Sequence, residues 1–129
     1  MAEEKNPPRI FAAENESTWQ WTIEEAVKEV EGILVVPIVA DFESAMELIQ
    51  KLIDLKVDIA IIDGNLSEGH HDGEEGVSMV SLIKKLAPDI KIIGYSAYGK
   101  PLEEAGADIV IDKINYEELA PTILRLMAE

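Results

Sequence analysis

The stretch Asp58–Gly76, DIAIIDGNLSEGHHDGEEG, decides how the chain is read. It opens on an unbroken apolar run, Ile59 to Ile62, that ends at Asp63. A short run with no alternating polar residue predicts a strand covered on both faces, as in a parallel sheet flanked by helices. A carboxylate just past the end of such a strand stands on the rim where open α/β sheets bind their ligands. Beyond it lies a loop in which His70 and His71 sit among acids and glycines.

Working outward, the same alternation of strand and helix recurs along the chain. RIFAA (Arg9 to Ala13) predicts a buried strand, and ILVVPIVA (Ile33 to Ala40) an edge strand, because Pro37 removes a backbone donor. DIAII (Asp58 to Ile62), KIIGYS (91–96) and DIVID (Asp108 to Asp112) complete a set of five. Between them, Trp19, Ile23, Ala26, Val27 and Val30 recur at helical spacing, with Ser17 or Thr18 placed to cap and Gly32 to close the helix. Asp41 to Leu55 returns to the same period, with Ser44 as cap and Ala45, Leu48, Ile49 and Leu52 inward. Val77 to Ala87 predicts a helix stopped by Pro88. PLEEAG (101–106) leaves room for a short helix, and Asn115 is placed to cap a C-terminal one. Right-handed crossovers then give a doubly wound α/β fold: five parallel strands with helices on both faces and a shortened fourth helix. Residues 1–8, ending in Pro7 and Pro8, read as a flexible leader, and 9–129 as a single domain.

Composition narrows the function. The chain has 129 residues, 47% hydrophobic and 29% charged, which suits one globular domain. Twenty-six acids against 11 bases set a formal charge of −15, so a nucleic acid would be repelled. No apolar run approaches the ~20 residues of a membrane span, and no signal-like N-terminus is present, which predicts a cytoplasmic protein. The absence of cysteine excludes disulfides, thiolate nucleophiles and zinc–thiolate sites.

The polar residues that follow each apolar run converge on one rim: Glu14 and Asn15 after the first strand, Asp63 after the third, Ser96 after the fourth, Lys113 after the fifth. Carboxylates held together attract a hard cation such as Mg²⁺, which prefers oxygen ligands. An ammonium beside them suits a phosphoryl group.

This constellation resembles the receiver domain of two-component response regulators, the chemotaxis type included, from Arg9 to the C-terminal helix. DIAIIDGNL, IFAAENE, IIGYSAY and AGADIVIDK match its site segments. The resemblance implies Asp63 as phospho-acceptor and a Mg²⁺ held by Glu14, Asn15, Asp63 and the backbone carbonyl of Asn65. Ser96 and then Ala97 would meet the phosphoryl group, with Lys113 taking another of its oxygens. It further implies a sensor histidine kinase or phosphotransfer protein as donor, a downstream protein as target, and no enzymatic activity beyond self-catalysed phosphoryl transfer and hydrolysis. With no output domain in view, the expectation is a stand-alone regulator.

Several positions depart from the family pattern. Asn15 puts a neutral oxygen where a second charged ligand is usual, with Glu16 next to it. Val110 and Ile114 replace the switch aromatic and the proline after the lysine, and SEGHHDGEEG lengthens the loop after Asp63. These departures support a second reading, a pseudo-receiver that binds protein partners without phosphorylation. The His70–His71 pair reads as part of a polar insertion, since adjacent side chains point apart and no third histidine exists. Trp19 is expected in the core, Trp21 partly exposed, and Met46, Met79 and Met127 at helix core positions.

Overall fold

The computed structural model describes residues 6–67 and 73–129, so the expectations for His70 and His71 fall outside the described residues. Strands β1 (Arg9–Ala13), β2 (Ile33–Leu34), β3 (Ile59–Ile62), β4 (Lys91–Tyr95) and β5 (Ile109–Ile111) form one parallel sheet in the order β2-β1-β3-β4-β5. Helices α1 (Ser17–Glu29), α2 (Phe42–Ile49), α3 (Glu74–Leu86) and α4 (Lys100–Ala105) fill the four crossovers, and a 3₁₀ segment, Lys113–Glu118, leads from β5 into α5 (Leu119–Ala128).

Residues alternate across the sheet because the side-chain period of a strand is two. Phe11, Ala13, Ala60, Ile62 and Ile92 face α2, α3 and α4, where Ala45, Ile49, Met79, Val80, Ile83 and Leu102 meet them. Ile10, Ala12, Ile59, Ile61, Ile93 and Tyr95 face α1 and α5, against Ile23, Ala26, Val27, Leu119 and Ile123. Both faces being covered, β3 is wholly buried, which is what its unbroken apolarity predicts.

The structure corrects several local expectations. The strand over Ile33 to Ala40 shrinks to two residues plus an isolated bridge between Val39 and Ala13, because Pro37 interrupts the ladder; it does lie at the sheet edge. Neither Ser17 nor Thr18 caps α1: both are helical residues, and Glu16 holds the cap position without a side-chain bond. Glu31 rather than Gly32 takes the left-handed conformation after α1 (φ 54), while the Gly32 N–H reaches back to Val27 O at 2.8 Å. Asp41, not Ser44, caps α2, accepting the Ser44 N–H at 2.9 Å. α2 is regular only as far as Ile49, and turns carry the chain on to Lys56, with Leu52 still buried.

α3 begins at Glu74, inside the segment read as loop. Asn115 does not cap α5: it lies inside the 3₁₀ segment with non-helical geometry. That segment is capped by Asp112, which accepts the Ile114 N–H at 3.0 Å, and Glu118 holds the α5 cap position without a side-chain bond. Met127 is exposed rather than in the core. No described helix is long and apolar enough to cross a membrane.

Candidate functional site

Register brings the two rim carboxylates together. Ala13 pairs with Ile62, and the Asp63 N–H donates to Ala13 O at 3.0 Å, so Glu14 and Asp63 leave adjacent strands side by side. On the other side of β1, the bridging residue beyond β2 holds Glu14, whose N–H donates to Val39 O at 2.9 Å. The sheet order changes direction at β1 and β3, which is where a crevice opens in folds of this kind.

Lys113, at the start of the 3₁₀ segment, closes over both acids. Its Nζ lies 2.9 Å from Glu14 Oε1 and 3.1 Å from Asp63 Oδ1. All three groups are withdrawn from water, with side-chain exposures of 11% for Lys113, 0% for Glu14 and 7% for Asp63. Asp63 Oδ1 also accepts the Gly64 N–H at 2.7 Å, and Glu14 Oε2 accepts the Glu16 N–H at 3.2 Å. The ammonium faces two rings, 5.8 Å from the centroid of Trp19 and 6.0 Å from that of Tyr95. Those rings meet edge to face, and the Tyr95 hydroxyl is paired with Thr22 Oγ1 at 2.8 Å.

The electrostatics follow from burial. Desolvation, followed by the Asp63 charge, pushes the Glu14 carboxyl up to about 7, against the opposing pull of Lys113. Asp63 is also raised by burial, with Lys113, Glu14 and the Gly64 N–H acting the other way. For Glu14 the sign is set by a folded value of about 7 above an ordinary 4.5. The stability it contributes is fully present below pH 4.5 and is lost as pH rises through about 7. Glu14→Gln, which cannot ionise, is therefore expected to gain on the wild type by roughly 3 kcal/mol between those limits. Urea unfolding of both proteins at pH 4.5 and pH 8 checks this, and parallel profiles would assign the titration to another group.

A cleft of about 650 Å³ opens over this cluster, and its walls include Asp63, Asn65, Ser96, Lys113 and Trp19. The structure thus brings Glu14, Asp63 and Lys113 into direct contact and sets Asn15, Asn65, Ser96 and Ala97 around them on the cleft wall. Ser96 Oγ is engaged locally, accepting the Tyr98 N–H at 3.2 Å and donating to Tyr98 O at 3.3 Å. Val110 packs against the backbone of Gly99, where a Cβ would come within 1.8 Å of its Cγ1, so the β4–α4 loop lies directly on β5.

The oxygen set suits a hard cation. Asn65 Oδ1 is buried without a hydrogen-bond partner, and Glu14 Oε1 meets only the ammonium. With Asp63 these make two carboxylates and an amide, the donor type Mg²⁺ accepts alongside water. No group of three or more acids and histidines is clustered for a metal among the described residues, so the amide oxygens and water would have to complete the shell.

Neither a family model nor a curated protein matches the sequence. Solved structures do match. A response regulator from Thermotoga maritima superposes with a TM-score of 0.75 at 18% identity, covering 96% of this chain and 100% of that one. The response regulator domain of Thermotoga maritima CheB gives 0.69 at 18%, covering 95% and 96%. A BeF3-activated DrrB receiver domain gives 0.75 at 15%, covering 96% and 100%.

The chain has the receiver fold.

Within that receiver fold, three site residues escaped the sequence reading. Trp19, expected in the core, is half-buried on the cleft wall beside Lys113, because the first turn of α1 lies over the rim. Tyr95 supplies the second ring from the end of β4. Glu75 was hidden in the acidic loop, yet it is buried at 9% exposure in the first turn of α3. Trp19 carried a signal, since it stands in the first turn of the helix that follows Glu14 and Asn15; Glu75 carried none.

Proposed function

We propose that this chain is a response-regulator receiver that accepts a phosphoryl group on Asp63 with the help of Mg²⁺ and signals through protein contacts. The observation that carries this is the contact of Lys113 Nζ with both Glu14 and Asp63 under an open, oxygen-lined cleft. Asp63 Oδ1 is held by Lys113 and the Gly64 N–H, which leaves Oδ2 as the attacking oxygen. The donor is a phosphohistidine of a sensor kinase or phosphotransfer protein. The oxygen–phosphorus bond forms as the phosphorus–nitrogen bond breaks, and the imidazole leaves with the electron pair and takes up a proton.

Glu14, Asp63 and Asn65, with Asn15 at the wall, are the residues that would hold the cation. Bound there, Mg²⁺ supplies positive charge that offsets repulsion between the carboxylates and the phosphoryl oxygens. Lys113, already between the acids, is placed to pass to a phosphoryl oxygen. Ser96 has to give up its bonds to Tyr98 before its hydroxyl can turn to the same group.

A second reading is supported by the same ion pairs. Lys113 pairs with both carboxylates without a metal ion and offsets one of their two charges, and Asn15 adds no charge to the shell, as in a pseudo-receiver that binds protein partners independently of phosphorylation. One experiment separates the two. Mg²⁺ with beryllofluoride is expected to change the fluorescence of Trp19, and acetyl phosphate to add one phosphoryl group by intact mass. Asp63→Asn is expected to abolish both responses. A wild type that takes neither ligand leaves the pseudo-receiver reading standing.

A further inference from the structure

Glu75 is an acidic side chain withdrawn from water at 9% exposure, and its carboxylate binds the loop that follows Asp63. Oε1 accepts two consecutive N–H groups, those of Leu66 and Ser67, each at 2.8 Å. Oε2 accepts the Ser67 hydroxyl at 2.6 Å. A second tie joins the same two segments, from the Gly76 N–H to Gly64 O at 2.7 Å. The first turn of α3 therefore grips the loop on both sides of Asn65.

Asn65 itself is held by little of its own: its Oδ1 is buried and has no hydrogen-bond partner, and it shares the cleft wall with Asp63. We infer that Glu75 is a positioning residue of this site, clamping Leu66 and Ser67 so that Asn65 presents its oxygens to the cation and phosphoryl group. The inference rests on the receiver reading and deepens it. A carboxylate suits the role because it offers several lone pairs and no donor, so it can collect two N–H groups and a hydroxyl at once.

The test uses the full chain, with Glu75→Ala, Glu75→Gln and Ser67→Ala. Two quantities are measured: amide hydrogen exchange at Asn65, Leu66 and Ser67, and the affinity for Mg²⁺ with beryllofluoride followed by Trp19 fluorescence. Residues that orient metal ligands typically contribute ~10–100-fold in affinity, and Glu75→Ala is expected to lose about that much while its loop amides exchange faster. Glu75→Gln keeps an oxygen for the two N–H groups and an NH₂ that can donate to Ser67 Oγ, so it is expected to stay close to wild type. Ser67→Ala, which removes one bond and leaves the backbone clamp, is expected to fall between them and covers the case in which Glu75→Ala does not fold.

If Glu75→Ala frees the loop amides but binds the mimic as tightly as wild type, the clamp is structural only and the inference fails. It fails equally if Glu75→Gln loses affinity while its amides stay protected, since charge rather than position would then be responsible. A wild type that binds neither Mg²⁺ nor beryllofluoride removes the receiver reading and this role with it, an outcome distinct from the other two.

Discussion

Lys113→Ala is expected to lose about 3–5 kcal/mol of stability at pH 8, the range for removing one partner of a buried ion pair. The ammonium stands 2.9 and 3.1 Å from two carboxylates that have almost no other access to water. Without it, Glu14 and Asp63 face one another as uncompensated charges, and burial, which already raises both, is no longer opposed by a cation. Protonation then becomes the only local way to neutralise them. The loss is accordingly smaller at pH 5 than at pH 8, because the proton replaces part of what Lys113 supplied. Urea unfolding at the two pH values measures it. An equal loss at both would mean that lost packing against Trp19 and Tyr95, rather than charge, sets the cost. On the receiver reading, millimolar Mg²⁺ also recovers part of the loss, since a ligand that binds only the folded state stabilises it.

Gly76→Ala tests the backing of the same site, and here two principles oppose each other. Gly76 lies in the first turn of α3 with no positive φ, so alanine gains ~1 kcal/mol in helix propensity. Its Cβ, however, would stand 2.5 Å from Leu102 Cδ2, 2.7 Å from Asp63 O and 2.7 Å from Gly64 Cα. Leu102 can turn its tip away, whereas the two backbone atoms belong to the loop that carries Asp63. Overpacking costs ~1–3 kcal/mol and more where backbone must move, so the substitution is expected to destabilise by about 2 kcal/mol net. Thermal or urea unfolding reads the sign directly. Pairing it with Leu102→Ala refines the cause: recovery in the double variant would locate the clash in Leu102 and spare the Asp63 loop, while persistence of the loss places it on the loop.

The pattern of errors in reading the sequence has a physical origin. Ser44 and Asn115 are good capping residues, but Asp41 caps α2 and Asp112 caps the 3₁₀ segment ahead of α5, because each is the extended residue where the chain enters the turn. That entry point is fixed by how the preceding strand meets the core. Ile33 to Ala40 has the composition of a strand, yet only Ile33 and Leu34 pair with β1 before the chain departs around Pro37. Composition favours extension there without supplying a partner for every residue.

What the sequence determined by itself is the layered fold and the membership of the rim. Unbroken apolar runs at 10–13, 59–62 and 92–93 require cover on both faces of the sheet, and polar residues that follow such runs in a parallel sheet must all emerge at one edge. Glu14 and Asp63 could be named on that ground, and Ser96 and Lys113 as the polar residues just past the fourth and fifth strands. What only the tertiary structure decided is which of them touch and what holds them. The pairing of Lys113 with two buried acids depends on strand register and the direction in which the 3₁₀ segment leaves β5, and the clamp of Glu75 on Leu66 and Ser67 depends on where α3 begins. These are distances between parts of the chain remote in sequence, set by the packing of helices on the sheet, and no local pattern of residue types encodes them.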